Sequence, residues 1–236
     1  EGMVAATFTP LDENGDVNLS VIDKYADWIA STPIKGVFVC GTTGEFSSLA
    51  IDERKLILEK WLVSARKRFK VIAHVGSNCQ RSAMELARHA AQVGADAIAS
   101  IAPSFFKPGT VDELVDFFAP ICHSAAGLPF YYYNMPSITG VNLPVDKFLV
   151  EGKKKIPNLV GTKFTHNNLM EMGVCIELEQ HRFEVLHGYD EILISGLAMG
   201  AVAGVGSTYN YIPNVYQAIF DSMKMNDLET ARHNQI

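Results

Sequence analysis

The sequence has few charged residues and no long apolar run. Charged side chains make up 19% of its 236 residues, whereas 48% are hydrophobic; an average globular protein has roughly 25% charged residues. This balance excludes intrinsic disorder and implies a large buried core. No apolar run approaches the roughly 18 residues that a membrane-spanning helix needs. The net charge of −6 argues against nucleic acid or an anionic membrane surface as a partner.

Cysteine is scarce too, and its spacing forms no motif. None of the four cysteines belongs to a CxxC pair or has a paired spacing with histidine: Cys40, Cys79, Cys122 and Cys175. A zinc site and a disulfide framework are therefore not indicated. The chain opens Glu1-Gly2-Met3, without the basic segment of a secretory signal. We expect reduced thiols and a cytoplasmic location.

What the sequence does contain is one pattern that occurs eight times: a short apolar run, a polar turn and a segment with helical periodicity. The apolar runs are Met3–Thr7, Gly36–Gly41, Val71–Gly76, Ala95–Ala102, Leu128–Asn134, Leu159–Phe164, Phe183–Gly188 and Ala201–Ser207. Their ends advance by roughly 29 residues per step, the length of a βα unit. Most runs are apolar at nearly every position, which is typical of strands buried on both faces of a parallel sheet.

Local signals mark the ends of the intervening helices. Thr110 begins a capping-box spacing before a helix predicted over Leu114–Ala126, and Gly94 is a predicted C-cap. A closing helix is predicted from Val215. The order predicts a (β/α)8 TIM barrel, with residues 1–236 as a single catalytic domain. The alternative is a doubly wound open sheet, which the absence of a phosphate-binding fingerprint disfavours.

In such a barrel the catalytic groups lie at the C-terminal ends of the strands, and the sixth strand carries a lysine there. Lys163 stands near the end of the apolar run Leu159–Phe164. A charge facing a barrel interior is costly, but a desolvated lysine holds more free amine, which can attack a ketone. The alternative is a lysine whose ammonium group reaches solvent beyond the strand.

Other strand ends carry polar groups whose interpretation stays open. The turn Gly41–Glu45 (GTTGE) could direct backbone N–H groups at an anion, or be an ordinary turn before a helix. Asp190 and Glu191 could bind sugar hydroxyls or a metal, or cap the next helix. The segment Gly204–Gly206 could cradle a phosphate or permit close backbone approach.

Two histidines lie within the apolar runs. Neither His74 nor His187 has a histidine or cysteine partner two or four positions further along the chain. We therefore predict that both are core residues and that the protein has no metal site.

Three motifs in order resemble one family. GTTGE follows the second strand, Tyr133-Asn134-x-Pro136 follows the fifth, and Gly161-x-Lys163 lies on the sixth. Each motif alone is weak, but the ordered set is similar to the class I pyruvate-dependent aldolases of the dihydrodipicolinate synthase / N-acetylneuraminate lyase superfamily. The resemblance spans nearly the whole chain.

Within that family, the sequence resembles the sialic-acid lyase branch. Ile138 stands where the synthases usually carry an arginine, and Gly188–Glu191 and Gly206–Asn210 resemble the segments that hold the sugar polyol. The resemblance implies cleavage of N-acetylneuraminate to pyruvate and N-acetylmannosamine. Alternatives are an aldolase for 2-keto-3-deoxy sugar acids or 4-hydroxy-2-oxoglutarate, and a catalytically silent barrel.

The resemblance also implies roles for individual residues. Lys163 would form a Schiff base with the C2 ketone, and Tyr133 would move a proton between the C4 hydroxyl and C3 of pyruvate. The implied substrate-binding residues are Thr42, Thr43, Thr165, Gly188, Asp190, Glu191 and Ser207. The same resemblance implies small-molecule substrates only, no metal or dissociable cofactor, and a homotetramer.

Two departures from the family accompany this resemblance. Phe105 and Phe106 stand where the synthases place tyrosines of a hydroxyl relay, so Tyr133 would need Thr43 or water as its partner. Family members also continue into further C-terminal helices. We expect this chain to stop at Ile236, in or just after the eighth helix, with that extension missing or truncated.

Overall fold

The computed structural model describes residues 1–125 and 127–236, and its eight strands form one closed parallel barrel in sequence order. The strands are β1 (Gly2–Ala6), β2 (Gly36–Val39), β3 (Lys70–His74), β4 (Ala97–Ile101), β5 (Phe130–Asn134), β6 (Leu159–Phe164), β7 (Glu184–His187) and β8 (Ala203–Gly206). All eight predicted strands are present, and the predicted (β/α)8 fold is confirmed. The open doubly wound sheet is excluded because β1 pairs with β8 as well as with β2.

Ten α-helices occur in the described residues: α1 (Ile22–Ala30), α2 (Ile51–Ala65), α3 (Gln80–Val93), α4 (Val111–Ser124), α5 (Pro136–Thr139), α6 (Val145–Lys155), α7 (Leu169–Glu177), α8 (Leu193–Ala198), α9 (Pro213–Lys224) and α10 (Leu228–Gln235). The same residues also form three 3₁₀ helices, which cover Leu19–Val21, Asp190–Ile192 and Thr208–Asn210. No helix in the described part of the chain is both long enough and apolar enough to cross a membrane.

Two of the predicted capping signals lie at helix ends in the structure, one at the start of α4 and one at the end of α3. The Thr110 hydroxyl accepts the Glu113 N–H at 3.2 Å, and the Glu113 carboxylate accepts the Thr110 N–H at 3.3 Å, which completes the capping box of α4. The predicted end of this helix at Ala126 lies outside the described residues. Gly94 ends α3 in the left-handed region, with a φ of +84° that glycine adopts without strain.

The chain folds as two compact units. The first comprises Glu1–Ile72 and His187–Ile236, and the second Ala73–Leu186. In the first unit, β1 lies between β2 and β8, with Val4 opposite Gly36 on one side and Val205 on the other. A buried Trp61 packs its ring against Tyr25 and Phe69.

The second unit has an aromatic core between its helices and β5. The ring of Phe118 on α4 lies within 5.8 Å, centroid to centroid, of the rings of Phe130, Tyr132 and Phe148. Gly161 on β6 leaves no room for a side chain, because a Cβ there would overlap the backbone oxygen of Glu184 on the next strand. This close approach holds β6, the strand that carries Lys163, in its place.

The chain extends one helix further than predicted. The closing helix begins at Pro213 rather than Val215, and α10 follows it. The expectation that Ile236 lies in or just after the eighth helix is therefore wrong. The Asp227 carboxylate accepts the Thr230 N–H at 3.0 Å and starts the additional helix, and its buried Ala231 anchors that helix.

Candidate active site

Lys163 is held against Tyr133 by strand register. The two residues lie opposite each other on β6 and β5, and both are buried, with 4% and 2% of their surface exposed. The Nζ atom of Lys163 is 4.2 Å from the centre of the Tyr133 ring. Sequence reasoning predicted both residues as catalytic, and the second unit brings them together.

The hydroxyl of Tyr133 has an unexpected acceptor. It donates a hydrogen bond to the Sδ atom of Met135 at 3.1 Å. A thioether is a weak acceptor, so a substrate hydroxyl can replace it at little cost. Nothing in the sequence motif singled out Met135, which occupies the variable position before Pro136.

His74 is the second neighbour of Tyr133, and its place there was not anticipated. Its ring meets that of Tyr133 edge to face, with centroids 5.8 Å apart. The Nε2 atom accepts the backbone N–H of Ile101 at 3.3 Å. The prediction of a buried histidine is confirmed, but this residue also fixes the ring of the proposed proton shuttle. The sequence signal that could have identified His74 as a residue near the site is its position at the end of β3.

Thr165, the residue after β6, presents an unsatisfied polar atom. Its backbone N–H donates to the Asn134 carbonyl at 2.8 Å, which ties the ends of β5 and β6 together. Its hydroxyl is buried and has no hydrogen-bond partner among the described residues. A buried hydroxyl without a partner is costly, so this group is suited to bind a polar ligand.

In the first unit, Asp190 is bound into the turn that follows β8. It is 3% exposed, and its Oδ2 atom accepts both the backbone N–H and the hydroxyl of Thr208, at 2.9 and 2.7 Å. Its Oδ1 atom lies where a Cβ on Gly206 would be. Gly206 therefore permits close approach, the second of the two predicted interpretations. Gly204 does the same for Tyr209, whose hydroxyl oxygen lies 2.5 Å from the position of a Cβ.

The other predicted binding residues of this unit are more accessible. Glu191 is exposed, while Gly188 and Ser207 are half-buried. Thr42 and Thr43 are also half-buried. They lie in a turn closed by a hydrogen bond from the Phe46 N–H to the Gly41 carbonyl and by one from the Thr9 hydroxyl to the Gly44 carbonyl, at 3.3 and 2.7 Å.

Asn210 organises the turn after β8. The sequence placed it in the segment Gly206–Asn210 but predicted no role for this residue itself. Its side-chain amide donates to the carbonyls of Ala6 and Ser207, both at 2.7 Å, and its Oδ1 accepts the Tyr25 hydroxyl at 2.5 Å. Each of these partners belongs to a different element, so one buried amide joins β1, α1 and the turn that contains Ser207.

His187 is a core residue, as predicted. It is completely buried. A Cβ on Gly196 of α8 would lie 2.5 Å from the imidazole. Burial lowers the pKa of His187 below its usual value because the charged form loses its hydration. Within residues 1–125 and 127–236, no group of three or more His, Cys, Asp or Glu side chains is arranged to hold a metal ion.

The profile of the Dihydrodipicolinate synthetase family matches residues 1–236. The chain belongs to this family.

N-acetylneuraminate lyases resemble this Dihydrodipicolinate synthetase family member over almost its whole length, both in sequence and in solved structures. The N-acetylneuraminate lyase of Mus musculus is 43% identical over 233 residues, covering 98% of this chain and 73% of the mouse protein. The solved N-acetylneuraminate lyase of Proteus mirabilis superposes with a TM-score of 0.97 at 35% identity, covering 99% of this chain and 79% of that one. The solved N-acetylneuraminate lyase of Aliivibrio salmonicida superposes with a TM-score of 0.97 at 38% identity, covering 99% of this chain and 78% of that one.

At the end of β4, this family member carries the two phenylalanines noted in the sequence. Phe105 and Phe106 are 77% and 87% exposed, and their rings meet edge to face at 5.0 Å. Neither ring has a hydroxyl, so this position cannot donate a proton. Ile138, in place of the synthases' arginine, is also exposed and apolar.

Proposed function

We propose that this protein is a class I aldolase that cleaves N-acetylneuraminate to pyruvate and N-acetylmannosamine. The observation that carries the proposal is the buried amine of Lys163, held 4.2 Å from the centre of the Tyr133 ring. An amine in that place can form an imine with a ketone, and a phenol beside it can move the proton that carbon–carbon cleavage requires. The identities to N-acetylneuraminate lyases support the choice of substrate.

The reaction begins with attack of the neutral Lys163 amine on the C2 carbonyl of the open-chain sugar. Loss of water gives an imine, which is protonated. When the C3–C4 bond breaks, its electron pair moves into the iminium, leaving an enamine on the pyruvate half. The C4 hydroxyl loses its proton to the Tyr133 oxygen and becomes the aldehyde of N-acetylmannosamine. Tyr133 then returns a proton to C3, and water hydrolyses the imine to release pyruvate.

A phenol is a weak base near neutral pH, so the tyrosine needs assistance. We assign that role to the carboxylate of the substrate, which can accept the phenolic proton while the oxygen of Tyr133 takes the one from C4. The carboxylate gives its proton back to the Tyr133 oxygen when Tyr133 protonates C3, so both groups return to their starting state. The weak hydrogen bond to Met135 Sδ at 3.1 Å is one that the phenol can give up when substrate binds. The Schiff base supplies the electron sink, so the proposed reaction uses no metal and no dissociable cofactor.

The proposed substrate contacts follow the family resemblance, and the local structure supports several of them. The hydroxyl of Thr165, which has no hydrogen-bond partner in the part of the chain that the structure describes, suits a sugar hydroxyl. The half-buried Thr42 and Thr43 are assigned to the carboxylate of the substrate. The polyol is assigned to Gly188, Asp190, Glu191 and Ser207.

We also propose a cytoplasmic location, a homotetramer and one catalytic domain over residues 1–236. All four cysteines lie within the described residues and none of them forms a disulfide there, which supports a reducing compartment. Burial raises the pKa of Cys40 to about 11 and that of Cys175 to about 12, so these thiols stay protonated near neutral pH and are slow to oxidise. The tetramer rests on the family resemblance alone.

Borohydride trapping tests the mechanism. The protein is incubated with pyruvate, reduced with borohydride, digested and mapped by mass spectrometry. The expected result is one pyruvate adduct, on Lys163. An adduct confined to another lysine, or none in a folded sample, overturns the proposed chemistry.

A substrate comparison tests the specificity. Pyruvate release is measured with N-acetylneuraminate, a 2-keto-3-deoxy sugar acid and 4-hydroxy-2-oxoglutarate. We expect N-acetylneuraminate to give the highest kcat/KM, since the polar turn at Asp190–Glu191 suits a long polyol. Trapping of pyruvate without any turnover of N-acetylneuraminate would leave the imine chemistry intact and refute the substrate assignment.

A further inference from the structure

A glutamine on the last helix holds the backbone of the turn that carries Asp190 and Glu191. Gln235 is at the end of α10 and is half-buried. Its Nε2 atom donates to the backbone carbonyl of Asp190 at 3.0 Å, and its Oε1 atom accepts the backbone N–H of Ile194 at 2.9 Å. One side chain therefore bridges the two ends of a single turn, 41 and 45 residues away in sequence.

The backbone N–H of Ile194 needs such a partner, whereas the carbonyl of Asp190 already accepts the Leu193 N–H and gains a second donor from Gln235. Ile194 is the second residue of α8, and the N–H groups in the first turn of a helix have no acceptor within the helix. No side chain of the preceding residue caps α8. Gln235 supplies the missing acceptor and, through the same amide, holds the carbonyl of Asp190.

The turn is thereby fixed from two directions. Thr208 binds the side chain of Asp190 through two hydrogen bonds, and Gln235 binds its backbone. Helix α10 is itself secured by its buried Ala231 and by packing against α9 and α8. Because a binding group costs less to use when it is already in position, the geometry of this turn influences how tightly a sugar is bound.

From this geometry we infer that Gln235 is a positioning residue for sugar binding. It touches no reacting atom and acts by setting the orientation of the Asp190–Glu191 turn. The inference rests on the proposed function, since it assumes that this turn binds the polyol. It gives α10 a role in the affinity for the sugar, and none in the formation of the imine by Lys163.

Gln235→Leu tests this role, with Gln217→Leu as its matched control. Gln217 lies on α9 and bonds only across the helix surface to Asp221, at 2.8 Å, in its described contacts. In Gln235→Leu we expect the KM for N-acetylneuraminate to rise about five- to tenfold, the size of effect that the loss of one or two hydrogen bonds gives. The kcat and the yield of pyruvate trapping should stay within about twofold. Gln217→Leu should change none of these.

A second variant and a second readout guard against a simple folding defect. Gln235→Glu keeps an acceptor for the Ile194 N–H but loses the donor to the Asp190 carbonyl, so it should also raise KM. Hydrogen exchange at the Ile194 amide should accelerate in Gln235→Leu and stay slow in Gln235→Glu. This difference between the variants would not arise from general loosening of α10.

The outcomes separate the two proposals. If the unaltered protein cleaves N-acetylneuraminate and both Gln235 variants keep its KM, the inference is wrong and the proposed function stands. A parallel loss of trapping and of sugar affinity shows general unfolding and also overturns it. If no form of the protein releases pyruvate from N-acetylneuraminate, the proposed substrate is wrong, and the role of Gln235 in sugar binding fails with it.

Discussion

The Nζ atom of Lys163 and the aromatic ring of Tyr133 face each other across two paired strands, 4.2 Å apart. Neither residue depends on a loop for its place. The register of β5 against β6 sets their separation, and the rings of His74 and Tyr133 pack edge to face behind it. Groups on a packed strand keep their geometry better than groups on loops, and an amine and a phenol that act on the same bond need such precision.

Lys163→Arg should abolish both activities assigned to this lysine. A guanidinium keeps the positive charge but cannot form the imine. We expect no pyruvate adduct after borohydride reduction and no pyruvate release above background, in a protein whose thermal unfolding temperature shows that it is folded. The matched control is Lys155→Arg, at an exposed lysine that pairs with Asp116 at 2.7 Å, which should behave as the unaltered protein. Persistent trapping in Lys163→Arg would place the imine on another residue.

Tyr133→Phe should separate imine formation from bond cleavage. The substitution removes only the hydroxyl and leaves the ring against Lys163 and His74. We therefore expect pyruvate trapping to persist, while kcat for N-acetylneuraminate falls by about 10²- to 10⁴-fold, the range for loss of a proton-transfer group. The neighbouring Tyr132 packs among aromatic rings, so Tyr132→Phe is the control and should retain kcat within a few-fold. An unchanged kcat in Tyr133→Phe would exclude it as the shuttle.

Gly206→Ala should disturb Asp190. The new Cβ would overlap the Oδ1 atom of Asp190, so either the carboxylate or the backbone must move, at a cost of about 1–3 kcal/mol in the free energy of unfolding. The KM for N-acetylneuraminate should rise as well. As a control, Gly109→Ala should leave stability nearly unchanged, because its Cβ would meet Glu113 at an ordinary 3.5 Å.

Combining Gly206→Ala with Asp190→Ala tests the cause of that loss. Asp190→Ala removes the overlapping oxygen together with its bonds to Thr208, so the double variant should lose less stability in urea unfolding than the two single variants summed. Strict additivity would show that the clash is not what destabilises Gly206→Ala.

His187 should make the protein sensitive to acid. Burial lowers its pKa in the folded state, whereas in the unfolded chain it titrates near 6.5. Below pH 6.5 the unfolded state therefore binds a proton at His187, while the folded state does not bind one until the pH reaches the lowered pKa. The free energy of unfolding is unaffected by this group above that pH, and decreases as the pH falls towards the lowered pKa, by up to about 1.4 kcal/mol per pH unit.

The measurement is urea unfolding at several pH values between about 7.5 and 5, with His187→Gln compared with the unaltered protein. The variant should show a smaller loss of stability in acid. His123→Gln, at an exposed histidine, is the control and should keep the full loss. If the free energy of unfolding decreased equally with falling pH in His187→Gln and in the unaltered protein, His187 would be excluded as the cause of the acid sensitivity.

The strands were predictable because a strand buried on both faces needs an apolar residue at nearly every position. That requirement leaves a continuous run, and for β6 the prediction Leu159–Phe164 coincides with the observed strand. Helix ends were predictable where the signal is local, as for the capping box at Thr110. The α10 helix was missed because its segment Leu228–Gln235 is mostly polar and exposed, so it carries little periodicity beyond the buried Ala231.

In the candidate active site too, some residues could be recognised from the sequence and others only from the structure. Lys163 could be named from the sequence because it stands near the end of an apolar run, where a charged group is conspicuous. Tyr133 was named through the resemblance of Tyr133-Asn134-x-Pro136 to a family motif. The roles of His74, Asn210 and Gln235 could not be named from the sequence. Their importance lies in which atoms they contact, and apart from Ser207, which is three residues from Asn210, those atoms lie between 27 and 204 residues away.

The sequence by itself therefore determined the barrel, the places of its strands and the lysine and tyrosine at two of their ends, because burial pattern and chemical type are properties of short segments. The tertiary structure alone decided what holds those groups in position. It placed His74 against Tyr133 and brought Gln235 to the backbone of Asp190. It also explains the glycine at position 206, where a side chain would overlap the carboxylate of Asp190. Such contacts depend on the packing of distant elements, which no local pattern records.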